Sequence, residues 1–275
     1  MQPVPPPVPA PAPINPSAAS EFFSGIGYLG RGAGMWLTSP KLMFLGAIPA
    51  LIVGAVYVVG IVFLILNIDR IATWATPFAE TWSEPLQTVT RIAATLALIV
   101  VAVLVVAYTY AAVTLLVGDP FYEKIWRAVE TRLGNPPADP DIPFLTSVGR
   151  AIGDAIRLLL PAILVGITVF ACGLIPIVGS PLALTLGAIF GGWLLTVEMT
   201  GFAFDARGFT LSQRRRTLRR LRARTMGFGI ATYLLFLVPI AAVVVMPSAV
   251  AGAAMLSRDA LARADAPARA VVRPQ

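Results

Sequence analysis

Along this chain long apolar runs alternate with short charged intervals, and the runs are too long for the core of a water-soluble domain. Residues 42–68, 92–118 and 158–197 contain no Asp, Glu, Lys or Arg. Each run exceeds the roughly 20 residues that an α-helix needs to cross hydrocarbon. None alternates strictly between polar and apolar positions, as a barrel strand would. Backbone groups in lipid must be satisfied within the segment, so helices follow. The pattern therefore predicts an all-α integral membrane protein.

The runs differ in kind. Ser39-Pro40 places a capping residue before a proline at the first helical position, which predicts a helix from about residue 40 to 68. The second long helix lies within 92–118. In the third run Gly173, Pro176, Gly179 and Pro181 cluster at the midpoint and leave two arms of about 16 residues. At 1.5 Å per residue such an arm falls short of a core of about 30 Å. A helical hairpin that dips partly into the membrane accounts for this, with two short spanning helices as the alternative. The last run, residues 226–256, carries Pro239 near its middle and predicts a second hairpin. Residues 21–37 mix aromatic residues with glycines and read as a helix lying on the membrane surface. A Pro/Ala-rich stretch, residues 1–20, lacks a basic or apolar signal region and reads as a disordered tail. The predicted organisation is that tail, one membrane domain over 21–256, and a cytoplasmic tail over 257–275.

Composition agrees with this picture. Of 275 residues 57% are hydrophobic and 13% charged, against roughly 25% charged in a soluble domain. The net charge of +7 does not imply nucleic acid, because the arginines flank the apolar runs, where the positive-inside rule expects them. Residues 119–157 and the arginine-rich 213–224 are thus predicted to be cytoplasmic, with both termini on the same side and residues 69–91 outside. The stretch with Arg214, Arg215, Arg216, Arg219 and Arg220 is expected to lie against anionic headgroups. There is no His, and Cys172 is the single Cys. Intramolecular disulfides and histidine catalysis are excluded, no metal cluster or nucleophile constellation is visible, and no phosphate-binding Gly-Lys motif is present. Neither enzymatic activity nor a cofactor is expected.

Three features carry candidate chemistry. Lys41 stands just inside a helix start whose unpaired N–H groups favour an anion, with the Ser39 hydroxyl beside it. Arg31, between two glycines, is the third member of this candidate anion site. Arg157 and Glu198 bound the third run at similar distances from Pro176, so a hairpin predicts a structural ion pair at its base. Gly187 and Gly191 form a small-residue pair that could serve a neighbour in an oligomer.

Four blocks resemble a known family: Gly27-Tyr28-Leu29-Gly30-Arg31-Gly32 with Ser39-Pro40; Asp119-Pro120-Phe121-Tyr122-Glu123; Ile175-Pro176 with Gly179 leading to Glu198; and Met226-Gly227-Phe228-Gly229 leading to Met246-Pro247. Together they resemble the CysZ sulfate-permease family, grouped with the etoposide-induced-protein domain. The resemblance implies two long spanning helices, two partly penetrating hairpins, cytoplasmic termini, and a homo-oligomer that conducts sulfate for cysteine synthesis. One stretch departs from the pattern. Where the family resembles Pro-Gly-Leu-Arg-Arg-Phe, this chain reads Pro40-Lys41-Leu42-Met43-Phe44-Leu45, with Met43 and Phe44 in place of charge. Either Lys41 and Arg31 supply the positive charge, or the chain moves another solute, or it is a membrane scaffold or quality-control protein of the same fold.

Overall fold

The computed structural model describes residues 17–138 and 144–271, and every regular element among them is helical. α1 (Ala18–Leu37) is followed by α2 (Pro40–Ala75), a short 3-10 turn, and α3 (Glu84–Arg132). Next come α4 (Phe144–Gly173) and α5 (Gly179–Leu186), which runs through a π-helical turn at Gly187–Gly191 into α6 (Gly192–Met199). α7 (Gly201–Asp205), α8 (Leu211–Arg220), α9 (Arg222–Phe236) and α10 (Pro239–Val271) complete the chain.

α2 and α3 pack as an antiparallel pair. The Tyr57 hydroxyl meets that of Thr109 at 2.5 Å, and the Tyr110 hydroxyl donates to the Ala50 carbonyl at 3.0 Å. Otherwise their middle sections present Leu51, Val59, Leu66, Val103 and Leu116 outward. Side chains so apolar and so exposed are suited to lipid. α3 does not stop where its charge-free run ends. It continues through Pro120, and Tyr122, Ile125, Trp126 and Val129 repeat at helical spacing on its buried face.

That lower part of α3 joins α1, α9 and α10 in the main core, with Leu29, Phe228, Val250 and Leu256. α1 crosses α9 and α10 at glycines. A Cβ on Gly32 would lie 2.1 Å from the Ser248 carbonyl oxygen, and one on Gly227 2.0 Å from that of Phe22. Only bare backbone permits so close an approach, as in small-residue crossings of membrane helices. The predicted surface helix is therefore an integral part of the bundle, although Phe23 and Leu37 remain exposed.

The two expected turns are present. α4 ends at Gly173, Pro176 and Ile177 occupy the turn, and α5 starts at Gly179 with Pro181 in its first turn. A Cβ on Gly179 would stand 2.4 Å from the Cys172 carbonyl oxygen, so the hairpin closes only over glycine. Pro239 opens α10 directly after the turn from α9.

Several expectations need correction. The arms of the first hairpin are longer than about 16 residues. Gly153–Gly173 and Gly179–Met199 each have 21, because α4 begins before the charge-free run and the second arm continues unbroken through the π-helical turn to Met199, and both are long enough to cross a membrane. Shortness thus no longer argues that this hairpin only dips. The boundary at residue 20 falls inside α1, whose N-cap is Ser17, bonded through its hydroxyl to the Ser20 N–H at 3.2 Å. Residues 1–16 lie outside the described residues. The boundary at residue 256 falls inside α10, where Ser257 and Ala260 are buried, so the packed body extends beyond it. Gly187 and Gly191 do not face a neighbouring copy, since a Cβ on either would lie 2.5 Å from the Tyr233 side chain.

Candidate anion site

α2 begins where the end of α1 and the end of α3 meet. Ser39 sits at the N-cap in an extended conformation, but its side chain makes no capping bond. Instead the hydroxyl accepts from Arg132, the last residue of α3. The Trp36 indole N–H donates to the Leu42 carbonyl at 2.9 Å and pins the turn from α1. Lys41, two residues after Ser39, is exposed, with no ion-pair partner among the described residues. Of the first-turn N–H groups only those of Lys41 and Leu42 are left over, since Pro40 has none, the Ser39 N–H bonds the Trp36 carbonyl at 3.2 Å and the Met43 N–H that of Ser39 at 3.0 Å. Two cations, one hydroxyl and these N–H groups thus surround the positive end of α2, which is donor chemistry for an oxyanion.

Arg31 is not part of this arrangement. Its guanidinium turns back along α1, donating to the Gly27 carbonyl at 3.3 Å and lying 4.1 Å from the centre of the Tyr28 ring. Met43 and Phe44, which stand in place of charge, are exposed.

The pair predicted between Arg157 and Glu198 does not form. Arg157 bonds Asp154 at 3.2 Å in a largely exposed contact, and the charged neighbour of Glu198 is Asp119 of α3. The reason is register. Arg157 lies sixteen residues before Gly173, whereas Glu198 lies nineteen after Gly179. The π-helical turn also rotates the residues beyond it.

The buried charges of this protein are elsewhere. Glu130 of α3, only 1% exposed at its side chain, accepts from Arg207 at 3.0 Å and Arg258 at 3.3 Å. Arg258 also donates to the Gly134 carbonyl at 2.6 Å, where Gly134 and Asn135 take positive φ to end α3. A second network ties α1, α9 and α10. In it Arg224 bonds Glu21 and, at 2.6 Å, Asp259, while Arg263 bonds Asp259 at 3.2 Å. Burial alone would lower the pKa of Arg224, but the hydrogen bonds to Glu21 and the field of Asp259 outweigh it and hold the guanidinium above its ordinary value.

Arg214 likewise departs from the headgroup expectation. It is 3% exposed, bonded to Asp205 at 2.5 Å and to the Val197 carbonyl at 3.0 Å. Thr210 and Gln213 form a capping box that fixes the start of α8 and so aims Arg214 inward. Arg216, Arg219 and Arg220 stay exposed.

Sequence reasoning missed Arg132, Glu130 and Arg258. The signal was available in the helical spacing of Tyr122, Ile125, Trp126 and Val129, which extends α3 to Arg132 and brings that residue to the level where α2 starts.

An all-α body with five segments long and apolar enough to cross a bilayer, among the described residues, defines a polytopic α-helical membrane protein. The family described as sulfate transporter CysZ/etoposide-induced protein 2.4 matches residues 28–247, and the chain belongs to it. A protein of Pseudomonas aeruginosa (strain LESB58) named sulfate transporter CysZ is 28% identical over 84% of this chain and 93% of its own length. Relatives of the same name from Pseudomonas fluorescens (strain Pf0-1) and Pectobacterium atrosepticum are 26% and 28% identical. They match 84% and 57% of this chain, and 92% and 58% of their own lengths.

Proposed function

We propose that this chain moves sulfate, or an anion of the same shape and charge, across the cytoplasmic membrane, and that the anion is held in passing at the start of α2. The observation that carries this reading is the meeting of Ser39, Arg132 and Lys41 at the positive end of that helix. Arg132 supplies a guanidinium in place of the arginine pair that Met43 and Phe44 lack, and it does so from another helix. Family membership and the names of the relatives support the choice of sulfate. Uptake for cysteine synthesis is the role the family resemblance implies.

Both termini and α8 lie on the cytoplasmic side in this reading, because positive charge concentrates there. Arg216, Arg219 and Arg220 then face anionic headgroups. A homo-oligomer would use the exposed apolar faces of α2 and α3, since Gly187 and Gly191 are occupied within the chain. Transport, and not catalysis, is the activity.

Liposomes containing the purified protein and labelled sulfate test this. We expect uptake above protein-free vesicles, a fall of roughly tenfold with Lys41→Ala or Arg132→Ala, and near wild-type uptake with Arg31→Ala. Absence of uptake by the wild type overturns transport and leaves the scaffold reading. Uptake insensitive to both Lys41→Ala and Arg132→Ala moves the site elsewhere.

A further inference from the structure

A second concentration of positive charge lies away from the start of α2. α8 and the base of α4 border a cleft of about 560 Å3 lined by Arg157, Thr210, Leu211, Ser212, Arg215, Arg216 and Arg219. Ser212, Arg215, Arg216 and Arg219 share one face of α8 at spacings of three and four, while Arg214, Thr217 and Leu218 are buried on the other side and the buried Leu211 borders the cleft. Arg157 comes from another helix, and its carbonyl accepts from Arg215 at 3.3 Å, which ties the two walls together.

Among the described residues, the charge on the α8 wall of this cleft is uncompensated. α8 contains no Asp or Glu, and the lining residues include none. Asp154 pairs with Arg157 alone. Arg216 and Arg219 have no ion-pair partner among the described residues, and like charges three and four apart disfavour the helix that carries them. The residues that hold α8 in place are separate: the capping box at Thr210, the Arg214 bond to Asp205 and the buried leucines. The basic face is therefore not required to fold the helix.

Size and position point to the ligand. A cleft of this volume falls in the range of small-molecule sites and exceeds what one bare tetrahedral ion fills. Arg157 is the last charge before the run 158–197, so the cleft sits at the edge of the apolar zone. We infer that the cleft between α4 and α8 binds a phosphate group carried on a larger molecule, at a site separate from the start of α2. Guanidinium forks match phosphate oxygens in pairs, and Ser212 adds a hydroxyl at the same face. The phosphate comes from a lipid headgroup or from a soluble phosphate ester.

The full chain in a non-ionic detergent is titrated with dihexanoyl phosphatidylglycerol and, separately, with glycerol 3-phosphate, following tryptophan fluorescence. We expect saturable binding that weakens as salt rises and falls by roughly tenfold or more in Arg216→Gln/Arg219→Gln. Arg70→Gln/Arg91→Gln, with the same charge change far along the chain, should bind as the wild type does. Binding of the lipid alone assigns the headgroup, and equal binding of glycerol 3-phosphate assigns a soluble ester. No saturable binding in either titration overturns the proposal. So does binding by Arg216→Gln/Arg219→Gln within twofold of wild type, or an equal loss in Arg70→Gln/Arg91→Gln.

Discussion

Replacing Glu130 with Gln should destabilise this protein more than any exposed charge substitution. The carboxylate is 1% exposed and accepts from two arginines whose side chains are 19% and 29% exposed. Gln keeps the volume but removes the carboxylate charge that Arg207 and Arg258 share, leaving two partly buried guanidiniums without it. Removing one partner of a buried pair costs about 3–5 kcal/mol. Partial solvation of both arginines reduces this, so about 2–4 kcal/mol is expected. For a chain of this size that corresponds to roughly 4–16 °C in melting temperature. The control is Glu123→Gln, which removes an exposed pair with Arg127 at 2.9 Å, one turn away on the same helix. Such a pair contributes about 0.3–0.5 kcal/mol. Thermal unfolding of both variants in the same detergent makes the comparison. Equal shifts, or a Glu130→Gln shift below about 1 °C, would refute the argument that burial makes this carboxylate structurally decisive.

Further expectations rest on backbone contacts and topology. Gly32→Ala should lower the melting temperature strongly, because its methyl meets the Ser248 carbonyl, whereas Gly30→Ala, with open space around it, should be neutral or slightly stabilising. Gly179→Ala should loosen the first hairpin through its clash with the Cys172 carbonyl, seen as faster protease cleavage near residue 177. In a Cys172→Ser background, a cysteine at Ser180 should resist an impermeant thiol reagent applied outside if the first hairpin dips from the cytoplasm. Rapid labelling there would mean that its 21-residue arms cross.

The long helices were legible because a charge-free run of more than 20 residues has few alternatives, and the first hairpin turn because Gly173, Pro176, Gly179 and Pro181 cluster there, whereas single prolines such as Pro49, Pro120 and Pro161 stay inside helices. Legibility failed where charge was read as a sign of water. Arg258 and Asp259 marked the start of a supposed tail, yet both are held in ion pairs on a packed stretch of α10. Arg214, inside an arginine run, looked like its neighbours, and only the capping box of Thr210 with Gln213 separates its face from theirs. The expected pair of Arg157 with Glu198 assumed equal arms about Pro176, and a π-helical turn is not visible in residue counting. At the candidate anion site Ser39 and Lys41 could be read from the helix start. Arg132, 93 residues from Ser39, could be reached only by following the helical spacing of Tyr122, Ile125, Trp126 and Val129 past Pro120.

The packing of α1 has a consequence for how the chain is made. α1 is the first described helix to be synthesised, and its main partners, α9 and α10, are the last. Roughly 200 residues separate the end of α1 from the start of α10, which at about 5–20 residues per second is on the order of 10–40 s of translation. Throughout that interval the glycine face of α1 and the carboxylate of Glu21 have no partner, while α2 and α3 can already pair. The amino-terminal helix must wait at the membrane for the carboxyl-terminal hairpin, so a ribosome that stalls before α9 releases a chain whose lipid-facing pair is complete and whose core is not.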